Sequence, residues 1–201
     1  MIEFIQQGGV VMYIILAASI LSLTIIFERA WSLRRSIVIP LADVRNIEAS
    51  VRGGDVKEAM RICQNHTAMS RILWVALANR GVSRAVLKEI LEEEGRQEVA
   101  HMDRFIGVLG VIAAVTPLLG LLGTVIGMIE VFQQISLVGL GKADALAGGI
   151  SKALNTTAFG LSVAIPSLVA YRYYESRVDR FVLEIEQHAL RFIELLKGER
   201  E

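Results

Sequence analysis

Three long apolar blocks without a formal charge constrain this chain more than anything else in it: Val10 to Phe27, Phe105 to Ile129 and Ala153 to Tyr171. A hydrocarbon core about 30 Å thick is crossed by roughly 20 helical residues at about 1.5 Å each. The second block exceeds that length by itself, and the first and third reach it once a flanking residue or two is included. Nearly all the charge falls between or after the blocks, and 53% of the chain is apolar. A single soluble core needs less apolar material and would not segregate it so sharply. The expected fold class is an all-α membrane protein with three transmembrane helices.

Orientation follows from the flanking cations, because Lys and Arg collect on the cytoplasmic side. Arg29, Arg34 and Arg35 follow the first block, Arg96 and Arg104 precede the second, and Arg172, Arg177 and Arg180 follow the third. The other side offers only Lys142 and Lys152 in the 130–152 connection. The expected order is an outer N-terminus at 1–9, span one at 10–28 and a cytoplasmic helical region at 29–104. Span two follows at 105–132, then an outer connection at 133–150, span three at 151–172 and a cytoplasmic C-terminal helix at 173–201. Met1-Ile2-Glu3 lacks the positive leader of a secretory signal, so the first block is expected to be retained.

The charged regions read as helices. Pro40 stands at a helix start before an amphipathic stretch to Val51, Gly53-Gly54 breaks it, and Asp55 is an N-cap for Val56 to Gln64. Met69 to Asn79 is apolar-rich, and Ser83 caps a run from Arg84 to Asp103 that enters block two without a break signal. After block three, Val178, Phe181, Val182, Ile185, Leu190, Ile193 and Leu196 recur at helical spacing. Spans two and three are therefore expected to extend as long helices, each about 70 Å if 45–50 residues are helical, into a cytoplasmic helical domain.

Within block two, Gly120, Gly123, Thr124 and Gly127 recur at spacings of three and four, with Thr116 on the same stripe and Pro117 as a kink. Gly123 and Gly127 make a GxxxG pair that lets helix backbones approach closely. Block three carries Asn155, Thr156, Thr157 and Ser162, with Ala153, Thr157, Gly160 and Ala164 as a narrow small-residue stripe. Packing explains the glycines. The polar side chains must each find a partner or line a hydrated path, because lipid supplies neither donor nor acceptor. No Asp, Glu or His occurs in block two or block three. An ion crossing here would meet hydroxyls and backbone, and any carboxylate would have to come from a second protein inserted among copies of this one.

The segments Pro117 to Gly127 (PLLGLLGTVIG) and Gly149 to Leu161 (GISKALNTTAFGL) resemble the MotA/TolQ/ExbB family, and the likeness extends over about residues 4–195. Three spans and a large region between the first two fit the ExbB and TolQ branch, since MotA-like subunits have four. The resemblance implies a bacterial inner-membrane homopentamer around a dimer of a single-span ExbD- or TolR-like protein with a membrane aspartate. It further implies proton translocation without a cofactor, and work passed to a TonB- or TolA-like protein. Thr124 and Thr157 match the family's pore-facing threonines, with Thr116, Thr156, Asn155 and Ser162 as further candidates for the path. Gly120, Gly123, Gly127, Gly160 and Pro117 are expected to carry helix packing.

One position departs from the pattern. Relatives often have glutamate at the start of span three, and this chain has Lys152. Snorkelling to the interface, pairing with Glu130 or Asp144 of a neighbour, and biasing the pore against stray cations all remain open for it. Lys152 and Glu130 are candidate entrance residues.

Other features point away from other classes. With 21 acidic against 21 basic residues, a nucleic-acid partner is not expected. His66, His101 and His188 have no ligand spacing, Cys63 is alone, and no catalytic dyad lies near the spans, so no metal and no enzyme activity are expected. A structural membrane scaffold without ion conduction is the competing reading. Within the motor reading, the sequence does not choose between an ExbB-type and a TolQ-type role, or between proton and sodium.

Overall fold

The computed structural model describes residues 9–65, 67–138 and 143–198. His66, Lys142, the stretch 1–8, part of the 133–150 connection and the side chain of Asp144 lie outside the described residues. All the elements described are helices. They are α1 (Gly9–Ser32), α2 (Arg35–Val38), α3 (Leu41–Arg52), α4 (Val56–Ile62), α5 (Ala68–Ala78), α6 (Arg84–Asp103), α7 (Ile106–Val138) and α8 (Ala143–Lys197), with a 3-10 turn at Cys63–Asn65. Three of these, α1, α7 and α8, are long and apolar enough to cross a membrane.

The chain divides into two compact units. The first comprises Met1–Glu28 and Phe105–Tyr173, and the second Arg29–Arg104 and Tyr174–Glu201. Unit one is built from the apolar parts of α1, α7 and α8. Val11 and Ile15 of α1 meet Ile112 of α7 and Val163 of α8 in a buried cluster, with Ala18, Leu119 and Phe159 packed against it. Outward-facing residues of the same helices are large and apolar: Phe27, Leu118 and Ile165 are each more than 60% exposed. An apolar face of this kind is tolerated where the surroundings are lipid or a neighbouring membrane helix, as in a spanning bundle.

Unit two folds by ordinary soluble rules. Asp55 caps α4 by accepting the Glu58 N–H at 3.0 Å, and Ser83 caps α6 by accepting that of Val86 at 3.4 Å. Thr67 does the same for α5, accepting from Ser70. Such caps satisfy amides that the first helical turn cannot. The core holds Ile47, Met69, Ile72, Leu73, Leu77 and Leu87, all nearly inaccessible. Val178, Phe181, Ile185 and Ile193 of the C-terminal helix are buried as the spacing predicts, whereas Leu190 is exposed. Cys63 is buried, and that burial, with the nearby Asp43 carboxylate, pushes its thiol up to about 11. It is an unreactive packing group.

The unbroken passage expected from Arg84 into block two does not occur. α6 ends at Asp103, Arg104 takes an extended conformation, and Phe105 has φ +64° before α7 begins. A non-glycine residue there costs about 1–2 kcal/mol, so nothing in the local sequence announces the interruption. Span three, by contrast, continues through α8 to Lys197 as one helix of 55 residues.

Candidate functional site

The glycines of α7 and α8 are where backbone meets backbone. A methyl group placed on Gly120 would lie 2.9 Å from the Thr157 Cα, and one on Gly127 2.9 Å from the Ala153 Cβ. One on Gly160 would lie 2.6 Å from the carbonyl oxygen of Thr116, and one on Gly123 would collide with the Thr156 side chain. Only hydrogen fits at these four positions, so the stripe read from the sequence is the seam between α7 and α8. Gly149 extends the seam, because a methyl there would collide with Val131. Pro117 lies inside α7, where it has no N–H to offer the Ala113 carbonyl.

Hydroxyl groups line this seam in two ways. Thr116 and Thr156 are each 1% exposed and donate back to their own helices, to the carbonyls of Ile112 at 2.8 Å and Lys152 at 3.0 Å. The structure therefore places these two inside the helix contact. Thr157 crosses it: its hydroxyl donates to the Gly120 carbonyl at 2.8 Å. Thr124, half-buried, donates to Leu121 at 2.6 Å, and Ser162, exposed, donates to Ala158 at 2.8 Å. Asn155 is half-buried on the same helix.

These hydrogen bonds have a chemical consequence. A hydroxyl carries one proton and two lone pairs. Where the proton is committed to a carbonyl, the oxygen is left as an acceptor. Thr124, Thr157 and Ser162 thus offer acceptors to whatever approaches them, suited to a donor such as a protonated carboxyl group or hydronium, or to a bare cation.

Where the seam approaches Glu130, Lys152 Nζ lies 2.7 Å from Glu130 Oε2, joining α7 to α8 within one chain. Of the arrangements open to Lys152, the structure shows pairing, with Glu130 of its own chain. Between α1 and α8 stands a contact that sequence reasoning missed, a buried hydrogen bond between Ser22 and Ser167 at 2.6 Å. Its only sequence signal is a serine in each of two apolar blocks, and block one also holds Ser19 and Thr24, so the pairing was not readable.

In unit two, Glu98 is buried and bonded to Arg71 at 2.9 Å. Burial raises its carboxyl above the usual range, against the lowering pull of Arg71. Asp103 is raised as well, by burial and by the carboxylates of Asp179 and Glu175. Among the described residues no group of His, Cys, Asp and Glu is placed to hold a metal ion.

The sequence profile of the MotA/TolQ/ExbB proton channel family matches residues 63–187, which include the whole α7–α8 seam. The chain belongs to this family. Among curated family members, the putative biopolymer transport protein ExbB-like 1 of Synechocystis sp. is 39% identical over 85% of this chain and 68% of its own length. The putative ExbB homolog of Methanothermobacter thermautotrophicus is 34% identical over 92% of this chain and 66% of its own, so the chain spans about two thirds of these two relatives. The Tol-Pal system protein TolQ of Haemophilus influenzae is 27% identical over 92% of this chain and 84% of its own. Membership places the chain among membrane proteins of the transport- and motor-associated proton channel class.

Proposed function

We propose that this chain is the channel-forming stator subunit of a bacterial inner-membrane motor that couples the proton motive force to work on the outer membrane. Five copies form a ring, N-termini periplasmic and C-termini cytoplasmic, around a dimer of a single-span ExbD- or TolR-like protein. The membrane aspartate of that partner supplies the carboxylate that spans two and three of this chain lack. A TonB- or TolA-like protein carries the work outward. An ExbB-type transport role is favoured over TolQ-type envelope maintenance by the 39% and 34% identity to the two ExbB-named relatives above, against 27% to the Haemophilus TolQ.

The observation that carries this reading is the acceptor character of Thr124 and Thr157. Both protons are committed to carbonyls of α7, so both oxygens are left able to accept hydrogen bonds and have none to give outward. A partner aspartate in its neutral, protonated form is the donor that such oxygens stabilise, and neutralisation is what lets a carboxyl group cross an apolar wall. Each proton moved draws about 2.3 kcal/mol per 100 mV of membrane potential. Glu130 and Lys152 stand as the path's entrance pair, and Asn155 and Ser162 extend the polar wall of α8.

The test is Thr157→Val with the native partners present. Proton flux in proteoliposomes and coupled activity are expected to vanish while the partner still co-purifies in unchanged stoichiometry. Full flux in that variant would overturn the reading. A non-conducting scaffold is the second reading, favoured by the fact that the hydroxyls of Thr116, Thr124, Thr156, Thr157 and Ser162 are all already satisfied within the chain. It requires no flux from the wild-type complex in the same vesicles.

A further inference from the structure

The cations near the end of α1 are arranged unequally. Arg29 is buried and donates to the carbonyl of Met102 at 3.1 Å. Arg35 is held by Glu184 at 2.5 Å. Arg177 donates its Nε proton to the Leu33 carbonyl at 2.8 Å. Each of these guanidinium groups is directed at the protein. Arg34 differs: among the described residues it has no carboxylate partner, it is exposed, and its guanidinium carbon lies 4.3 Å from the centre of the Trp31 ring. Trp31 itself is 64% exposed.

Height along the helix decides what this pair meets. Trp31 follows the last residue of the apolar block, Phe27, by one helical turn, or about 6 Å. The headgroup layer on each side of the hydrocarbon is about 5–7 Å deep. Trp31 therefore falls among headgroups, where amphipathic rings concentrate, and Arg34 stands at the level of the phosphates. The Arg34 backbone is fixed from both sides: its N–H reaches the Trp31 carbonyl at 3.3 Å, and its own carbonyl accepts from Ile37 at 2.9 Å and Val38 at 3.1 Å. Stacking on the ring holds the guanidinium plane while leaving its N–H groups free to point outward, and a planar fork of N–H donors matches two phosphate oxygens.

We propose that Trp31 and Arg34 form a site for the headgroup of an anionic phospholipid, with the ring lying among the headgroups and the guanidinium on the phosphate. Arg35, one residue on and equally basic in sequence, takes no part because Glu184 neutralises it. The site depends only on α1 spanning the bilayer and is independent of ion conduction.

The experiment uses Trp31 as its own probe. The chain has two tryptophans, so Trp74→Phe leaves a single emitter. The full-length variant is placed in vesicles with brominated phosphatidylglycerol or brominated phosphatidylcholine as the quencher. Quenching by the anionic lipid is expected at about fivefold lower mole fraction, the preference that one interfacial arginine confers. Arg34→Gln is expected to erase the preference and Arg34→Glu to reverse it, with helix content by circular dichroism unchanged. Equal quenching by the two lipids in the Trp74→Phe chain would overturn the site, as would a preference that survives Arg34→Glu. Quenching of Trp31 by neither lipid would also overturn it, by placing the ring outside the bilayer.

Discussion

Ser22 of α1 and Ser167 of α8 share one buried hydrogen bond whose direction is set by a third group. Ser167 donates its only proton to the Val163 carbonyl at 2.7 Å, so its oxygen must accept, and Ser22 must donate. The bond follows directly on Pro166, which lies inside α8 and has no N–H for the Ser162 carbonyl. Span one has no glycine seam of the α7–α8 kind, and this hydroxyl pair pins its register against span three.

Ser22→Ala and Ser167→Ala are each expected to destabilise the chain by about 0.6–1.7 kcal/mol, the range for polar contacts between membrane helices. The double variant should cost little more than either alone, because both remove the same bond. Unfolding of the full chain in mixed detergent micelles reads all three values. Strictly additive costs would show that the serines act independently.

Gly160→Ala puts a methyl group 2.6 Å from a backbone oxygen, that of Thr116, which cannot swing aside as a side chain would. The helices must separate along the seam, at a cost of about 1–3 kcal/mol or more. The Thr157–Gly120 hydrogen bond should be lost with it. Gly107→Ala, in α7 away from the seam, meets nothing within 4 Å, and should be neutral or slightly stabilising, since alanine is the better helix former. Thermal midpoints of the two variants check this contrast. Equal midpoints would mean the seam is not close-packed.

Much of this architecture is legible in the sequence. The three apolar blocks, the caps at Asp55 and Ser83, and the glycine stripe all rest on local rules: length, hydrogen-bonding at a helix start, and small residues at spacings of three and four. What escaped depends on three-dimensional context. Phe105 adopts φ +64° although no glycine or asparagine marks the turn, so the interruption between α6 and α7 falls on a residue type that gives no local signal of it. Thr116, Thr124, Thr156 and Thr157 look alike as membrane threonines. Only the helix contact separates the buried pair, Thr116 and Thr156, from Thr124 and Thr157. Leu190 keeps the helical period yet is exposed, because periodicity gives a face but not what covers it.

Acid titration should report on Glu98. Its carboxyl is raised in the folded chain, chiefly by burial, so the folded state holds its proton to higher pH than the unfolded state does. The linkage sign follows: its contribution is fully present below the ordinary carboxylate value of 4.5 and is lost as pH rises through the raised folded value. Glu98→Gln removes this dependence, with a constant offset from the lost Arg71 partner. Relative to wild type, the variant should therefore gain stability as pH climbs from about 4.5, then level off. A stability difference that does not vary with pH across that window would contradict the assignment.

The Glu130–Lys152 pair gives the sharpest check on how this chain departs from the glutamate often found at the start of span three. The ammonium and carboxylate are 2.7 Å apart, with the side chains 27% and 49% exposed for Lys152 and Glu130. Solvent screening at that exposure limits the pair to about 1 kcal/mol or less. Lys152→Glu sets two carboxylates against each other, and Glu130→Lys sets two ammonium groups, so each alone should weaken the α7–α8 contact by roughly that amount. Exchanging both residues restores an opposite-charge pair and should recover most of the loss, while placing a glutamate at position 152. A four-way comparison of unfolding midpoints in detergent measures the coupling. Recovery in the doubly exchanged chain would show that what this seam needs is the pairing, not which helix carries the acid. If the double variant instead suffers the sum of both losses, the two side chains do not act as a pair, and Lys152 stands at the interface by itself.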